Sequence, residues 1–224
     1  MICKYRFLLI LCMLIASSNL LFASNIGFYF MGGGSGGGVL QNSEDIQKLL
    51  NDYYKITMLQ FDMSARAIIG YQNIFQCEYR HSWRGLDINS HFGEGYIENT
   101  FHMNLQSDQY IVKLAPFRFD GRNNDRNLSC VFLLYGIGNS KSLKDKTGDG
   151  FYNGKIQTIG IEYSDFYLFN EKNTFEIGSV GFSLEYETID YSRFKIVGVG
   201  SAPYKARVGC VKLNLVLVGG FNIK

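Results

Sequence analysis

The sequence predicts an all-β fold, an eight-stranded antiparallel up-and-down barrel, in the part of the chain that follows residue 23. Three observations lead to this prediction. Apolar and polar residues alternate with period two in many segments, as they do where successive side chains of a strand point to opposite faces. Eight such segments can be counted. The connections between them alternate in length, which is typical of strands that run up and down around a barrel.

The N-terminal segment, residues 1–23, has a different character. Lys4 and Arg6 precede an apolar run, and the small residue Ala23 stands at the expected cleavage position. This is the layout of a secretory signal peptide. An uncleaved membrane anchor is the alternative, because an apolar stretch of about 18 residues approaches the length of a membrane span. We expect a cleaved signal peptide followed by one barrel domain, residues 24–224.

Charge and cysteine content exclude several classes of function. Removing the signal peptide takes away two of the 22 basic residues and none of the 20 acidic ones, so the mature net charge is 20 − 20 = 0. The mature sequence has no basic patch, and this argues against nucleic-acid binding. The mature chain keeps Cys77, Cys130 and Cys210, an odd number without a CxxC pair. We therefore expect no disulfide framework, no metal site and no cofactor.

The first four strands are predicted with unequal clarity. The glycine-rich run that begins at Gly27 follows the signal peptide, and residues 56–69 show the clearest alternation, with Phe61 on the apolar parity and Asp62 on the polar one. The third strand repeats this pattern. The fourth mixes its phases and contains Pro116, which suggests a break near residues 107–108 or a strand rim at the proline.

The last four strands follow the same rule. In the sixth, Ile161 opposes Glu162, and in the eighth the leucines of 211–217 oppose Lys212. In the seventh, the start has the opposite phase from Phe182, so a bulge near Gly178 or Gly181 is expected. The eight predicted strands are residues 26–36, 56–70, 74–84, 98–118, 128–138, 151–168, 173–190 and 207–223.

The connections are of two kinds. The second, fourth and sixth are brief, whereas the first, third, fifth and seventh are longer and rich in Gly, Ser, Asn, Asp and Lys. Short turns at one end, long loops at the other and an even strand count are the layout of a transmembrane barrel of a bacterial outer membrane. The long loops are predicted at residues 37–55, 85–97, 139–150 and 191–206.

Four segments carry a resemblance to a known family. They are the opening 27–34, the strand-turn-strand segment 67–80, the short segment 160–163 and the closing 213–221. Together they make the chain resemble the small eight-stranded outer-membrane β-barrel family. The resemblance implies a transmembrane β-barrel in the outer membrane of a Gram-negative cell.

In a barrel of this kind the apolar parity faces lipid and the polar parity faces the lumen. An eight-stranded barrel is only wide enough to be filled by its own side chains, so charged lumenal residues should pair into a plug. A catalytic pair of carboxylates is the less favoured interpretation. The residues predicted for this lumenal ionic network are Asp62, Arg66, Glu78, Arg80, Glu162, Glu185, Glu187 and Lys212.

The predicted function is a structural or surface-interaction role, performed by a monomer through its long outer loops, with outer-membrane lipid as a partner and no enzymatic activity. Three alternatives remain open. One is a narrow porin-like channel. Another is a lipid A-modifying acyl transferase or hydrolase that uses His91 with Ser90 or Ser82, while His81 and its neighbour Ser82 should point to opposite faces. The last is a soluble lipocalin-like periplasmic carrier with the apolar parity turned inward.

Overall fold

The structure is a computed structural model. It describes residues 27–42, 54–56, 59–91, 98–120, 127–142, 150–168, 177–195 and 205–223. The predicted signal peptide, residues 1–23, lies outside these ranges. Within them, no helix has the length and apolarity needed to cross a membrane.

The described residues form nine strands, and all their pairings are antiparallel. The strands are β1 (Phe28–Asn42), β2 (Tyr54–Ile56), β3 (Leu59–Tyr71), β4 (Phe75–His91), β5 (Glu98–Asp120), β6 (Asn127–Ser142), β7 (Gly150–Leu168), β8 (Ile177–Lys195) and β9 (Ala206–Ile223). Because β1 pairs with both β3 and β9, and β5 pairs with both β4 and β6, the sheet closes on itself. The short β2 pairs with the part of β4 that lies beyond its pairing with β3, so β2 does not add a ninth strand to the barrel wall. The predicted eight-stranded antiparallel barrel is confirmed.

The period-two pattern places the two kinds of side chain on opposite faces of the barrel wall. Along β3, Phe61 and Met63 are exposed on the outside, whereas Asp62 and Arg66 are buried inside. The apolar parity therefore faces outward. This orientation is the reverse of the one that a soluble carrier would need.

Several strands are longer than the sequence predicted. They extend toward the end of the barrel at which the long loops are predicted, which we call the long-loop end. β1 continues to Asn42, β4 to His91, β6 to Ser142 and β8 to Lys195. The predicted loops at 37–55, 85–97, 139–150 and 191–206 are therefore wrong where they overlap these strands. The prediction ended each strand where the apolar alternation ended, but the backbone pairing continues, for example to His91 opposite Glu98.

Two predicted irregularities have different outcomes. β5 runs without a break through residues 107–108, and its register against β6 shifts between Leu114 and Phe117, so the irregularity lies at Pro116. A proline cannot donate a ladder hydrogen bond, and a bulge tolerates it. The bulge predicted near Gly178 or Gly181 is wrong, because β8 pairs regularly with both neighbours there.

The short turn between β3 and β4 defines one end of the barrel, which we call the short-turn end. Gln72 and Asn73 both have a φ of 50° there, and Ile74 N donates to Tyr71 O over 3.0 Å. A positive φ is uncommon outside glycine, and Asn is among the residues that tolerate it best. The turn is further tied to the wall because Arg118 Nη1 donates to Gln72 O over 3.0 Å.

Candidate functional site

The barrel interior is the most highly organised polar region among the described residues. All eight residues of the predicted ionic network have side chains that point into it and are at least nine-tenths buried. Two further cations, Arg84 and Lys113, lie there as well. Sequence reasoning missed them because Arg84 stands at the predicted end of its strand and Lys113 lies in the segment whose phase was ambiguous.

The charged side chains near the middle of the barrel form a group that we call the lower cluster. Its members are Arg66, Arg80, Lys113, Glu78, Glu162 and Glu185. Arg66 Nη1 lies 2.9 Å from Glu162 and 3.4 Å from Glu78. Lys113 Nζ lies 2.6 Å from Glu78 and 2.8 Å from Glu162. Arg80 Nε lies 2.7 Å from Glu78, and Arg80 Nη1 forms an ion pair with Glu185.

A second group, the upper cluster, lies closer to the long-loop end. It consists of Arg84, Lys212, Asp62 and Glu187. Arg84 Nη2 lies 3.0 Å from Asp62 and 2.7 Å from Glu187, and Lys212 Nζ lies 2.7 Å and 3.2 Å from the same two carboxylates. Gln109 Nε2 also donates to Glu187 over 2.8 Å.

The two clusters are electrically balanced. The lower cluster has three cations and three carboxylates, and the upper cluster has two of each. Every carboxylate lies within 4 Å of at least two cations, and every cation within 4 Å of at least two carboxylates. Buried charges are tolerated only when they are paired in this way. The arrangement compensates its own charge and leaves no excess of either sign in the described interior.

Layers of buried side chains fill the interior on both sides of the clusters. At the short-turn end the buried layer consists of Tyr29, Met31, Ile68, Ala115, Leu128, Cys130, Phe132, Phe166 and Ile177. The ring of Phe166 lies 6.2 Å from those of Tyr29 and Phe132. Toward the long-loop end, the buried side chains include Leu105, Ile156, Ile189, Tyr191 and Val208, together with the polar Gln41, Gln60 and Ser140. The charges are thus enclosed between an apolar layer at the short-turn end and a mixed layer toward the long-loop end.

The outer wall has the opposite composition. Its exposed side chains are largely aliphatic or aromatic, including Leu133, Ile161, Leu184 and Leu215. Eight aromatic side chains are also exposed on it: Tyr71, Tyr79, Trp83, Tyr110, Phe117, Tyr135, Tyr163 and Tyr186. Tyr71 and Phe117 lie near the short-turn end of their strands, whereas Tyr110, Tyr135 and Tyr186 lie near the middle of theirs. Monomeric soluble proteins rarely expose a continuous apolar surface of this extent.

Polar side chains on the outer wall lie toward the two limits of this apolar surface. Toward the long-loop end, Asp108 Oδ1 lies 2.7 Å from His81 Nδ1 and accepts a hydrogen bond from Tyr79 OH at 2.7 Å. Toward the short-turn end, Asp165 Oδ1 accepts hydrogen bonds from Tyr163 OH at 2.6 Å and from Ser129 Oγ. On β6 the apolar surface therefore extends from Ser129 to Asn139, which are ten residues apart.

The side chains considered for catalysis do not assemble into a described site. Ser82 faces the interior and is buried, while its neighbour His81 faces outward beside Trp83. The side chains of Ser90 and His91 lie outside the described residues. No group of three or more potential ligands among the described His, Cys, Asp and Glu residues could hold a metal ion.

Comparisons with known proteins identify similarity of fold only. No protein-family model matches the chain, and no curated protein matches it. Among solved structures, the crystal structure of the outer membrane protein OprG from Pseudomonas aeruginosa is similar, with a TM-score of 0.48 and 12% identity over 88% of this chain and 97% of that one. So low a similarity carries no functional conclusion. The fold assignment rests on the strand pairings of this chain.

Proposed function

We propose that this chain is an outer-membrane β-barrel whose interior is closed and whose role is structural or in surface interaction. The barrel acts as a monomeric, non-enzymatic anchor, and its long connections supply the binding surface. Lipid of the outer membrane surrounds the wall. The short-turn end faces the periplasm and the long-loop end faces the cell exterior, as in other barrels of this architecture.

The height of the apolar wall is the observation that carries this proposal. Ser129 and Asn139 are ten positions apart on β6. With a rise of about 3.3 Å per residue and a strand tilt of about 40°, they span roughly 25 Å along the barrel axis. That is the height of the apolar band of an outer-membrane barrel. Aromatic side chains near both limits of the band support the same interpretation.

The filled interior supports a closed barrel rather than a pore. A conducting ion would have to enter the apolar layer around Phe132 and Phe166 and then separate the paired charges of both clusters. Breaking one buried pair costs several kcal/mol, about 3–5. These ion pairs would have to break and re-form for every ion that passes, so ion passage through the closed barrel is strongly disfavoured.

Reconstitution into planar bilayers tests the closed interior. We expect no conductance steps from the purified mature chain at moderate voltage, under conditions in which an open porin of known size inserts and conducts. Insertion is verified independently by the shift in gel mobility between heated and unheated samples. Regular single-channel steps from inserted protein would contradict the closed barrel and favour the narrow channel.

Epitope insertion on intact cells tests the assignment of the two ends. A short tag placed within residues 143–149 should be accessible to antibody on unpermeabilised cells. The same tag placed within residues 121–126 should become accessible only after the outer membrane is permeabilised. The opposite accessibility, or no dependence on permeabilisation, would contradict the proposed orientation.

A further inference from the structure

The outer wall carries a depression in its apolar surface near the short-turn end. It is an open groove of about 700 Å³ along β8 and β9, and its lining is mainly apolar. Gly178 and Gly219 are directly paired across the two strands and form its floor. Val180, Leu217 and Phe221 rise around them. The groove volume lies within the range of small-ligand sites.

A carboxylate stands at the edge of this groove. Asp165 on β7 is the direct cross-strand partner of Val180, and Tyr167, two residues further along the same face, lines the groove. Directly opposed side chains in an antiparallel pair have Cβ atoms about 5 Å apart. The carboxylate is therefore within reach of a molecule that occupies the groove.

Asp165 differs from the other described carboxylates of the outer wall. Asp108 lies against His81, and Asp190 accepts Arg207 Nε at 2.6 Å. In contrast, Asp165 is held by two neutral hydroxyls, those of Ser129 and Tyr163, and no cationic side chain among the described residues forms an ion pair with it. These hydroxyls orient the carboxylate without neutralising it. Within the described part of the chain, therefore, the charge of Asp165 is not compensated by a cation.

We propose that the groove and Asp165 together bind one phospholipid whose headgroup carries a primary ammonium. This inference rests on the proposed membrane location. The glycerol region and the first methylene groups lie over Gly178 and Gly219, where side chains are lacking, and the acyl chain continues past Val180 and Leu217 toward the middle of the apolar band. The ammonium group donates to Asp165 at the periplasmic limit of the apolar band, where the headgroups of the inner leaflet lie.

The choice of lipid follows from the charge and chemistry of the site. An anionic headgroup would be repelled by Asp165. A quaternary ammonium has no N–H to donate, whereas a primary ammonium forms charge-assisted hydrogen bonds to a carboxylate. The site therefore favours phosphatidylethanolamine over phosphatidylglycerol of the same acyl composition.

Lipid retention tests this proposal on the full mature barrel. The protein is reconstituted into liposomes of equal parts phosphatidylethanolamine and phosphatidylglycerol, extracted in mild detergent, and analysed by native mass spectrometry for the lipid that remains bound. We expect about a threefold preference for phosphatidylethanolamine, the size expected for one partly exposed ion pair. Asp165→Asn should reduce the ratio to about one.

A second variant tests the groove itself. A Cβ at Gly219 would have only Ile177 O nearby, at 3.9 Å, so Gly219→Leu fills the groove without a backbone clash. We expect it to reduce the bound lipid of both headgroups. Gly85→Leu is the matched control on β4, since Gly85 is also exposed, an added Cβ there would have no heavy atom within 4 Å, and β4 pairs with neither β8 nor β9. Asp108→Asn is the control for charge.

The outcomes separate this site from the membrane assignment. A wild-type chain that inserts but retains both lipids equally, or an Asp165→Asn variant that keeps the preference, overturns the lipid site alone. Equal loss of bound lipid in Gly219→Leu and Gly85→Leu also overturns it. A mature chain that remains in the aqueous fraction and does not float with liposomes overturns the membrane proposal and the site with it.

Discussion

Lys113 illustrates how much a single buried side chain can contribute to this barrel. Its ammonium is the cation nearest to Glu78, at 2.6 Å, and it also lies 2.8 Å from Glu162. Lys113→Met removes the charge with little loss of volume and leaves the lower cluster with three carboxylates and two cations. We expect a loss of about 3–5 kcal/mol in the free energy of unfolding, measured by urea titration of the liposome-inserted protein.

Two variants control this prediction. Lys155→Met removes an exposed lysine on the outer wall that donates a hydrogen bond of 3.0 Å to Asn139 Oδ1, and it should change stability by less than about 0.5 kcal/mol. Adding Glu162→Gln to Lys113→Met restores the charge balance and should recover part of the loss. A Lys113→Met protein as stable as the parent would show that the lower cluster contributes little.

Glycine has a positional role on β1. A Cβ at Gly37, on the inward parity, would overlap the carbonyl oxygen of Leu213 on β9, whereas one at Gly32, on the outward parity, would only make an ordinary van der Waals contact with Arg66 O at 3.8 Å. Gly37→Ala should therefore destabilise the barrel by about 1–3 kcal/mol, as overpacking does. Gly32→Ala should be tolerated. The fraction of refolded protein with shifted gel mobility distinguishes them, and equal fractions would contradict the close approach of β1 and β9.

At the scale of elements, closure depends on the first and last strands of the barrel. β1 and β9 pair so that Leu40 lies opposite Val211, and both side chains are exposed on the outer wall. Cysteines placed at these two positions, in a chain whose native cysteines are replaced, have Cα atoms within disulfide range. We expect oxidation to cross-link them in high yield in the folded barrel.

The register control uses the same β1 position with a different partner. Leu215 lies opposite Gly36, four residues from the pairing of Leu40. Cysteines at Leu40 and Leu215 should therefore remain largely unlinked. Comparable yields for the two pairs, measured by electrophoresis without reductant, would show that the register between β1 and β9 is wrong.

For the whole molecule, the decisive property is which solvent the outer wall contacts. Leu184 is exposed in the middle of the apolar surface. An arginine there should cost about 2–4 kcal/mol if the wall faces acyl chains, so Leu184→Arg should insert poorly into liposomes. Ser192→Arg, on the same strand and closer to the long-loop end, should insert normally. Improved solubility of Leu184→Arg without detergent would contradict the membrane assignment.

The predictable and unpredictable parts of the interior differ for a physical reason. Glu185 and Glu187 alternate with apolar residues, so period two assigned them to the interior, where the structure places them. The bulge predicted near Gly178 or Gly181 was wrong because Ile177 is apolar and yet points inward, where it packs in the layer at the short-turn end. Local alternation cannot distinguish an apolar residue that faces lipid from one that fills the lumen.

The amino-acid sequence by itself determined the fold class, the strand count and the face to which most side chains belong, because these follow from period two and from connection lengths. Only the tertiary structure decided how far the strands continue, which cation meets which carboxylate, and where the wall is indented. Those features depend on register between strands that are distant in sequence. Gly178 and Gly219 meet only because β8 and β9 pair in one particular alignment.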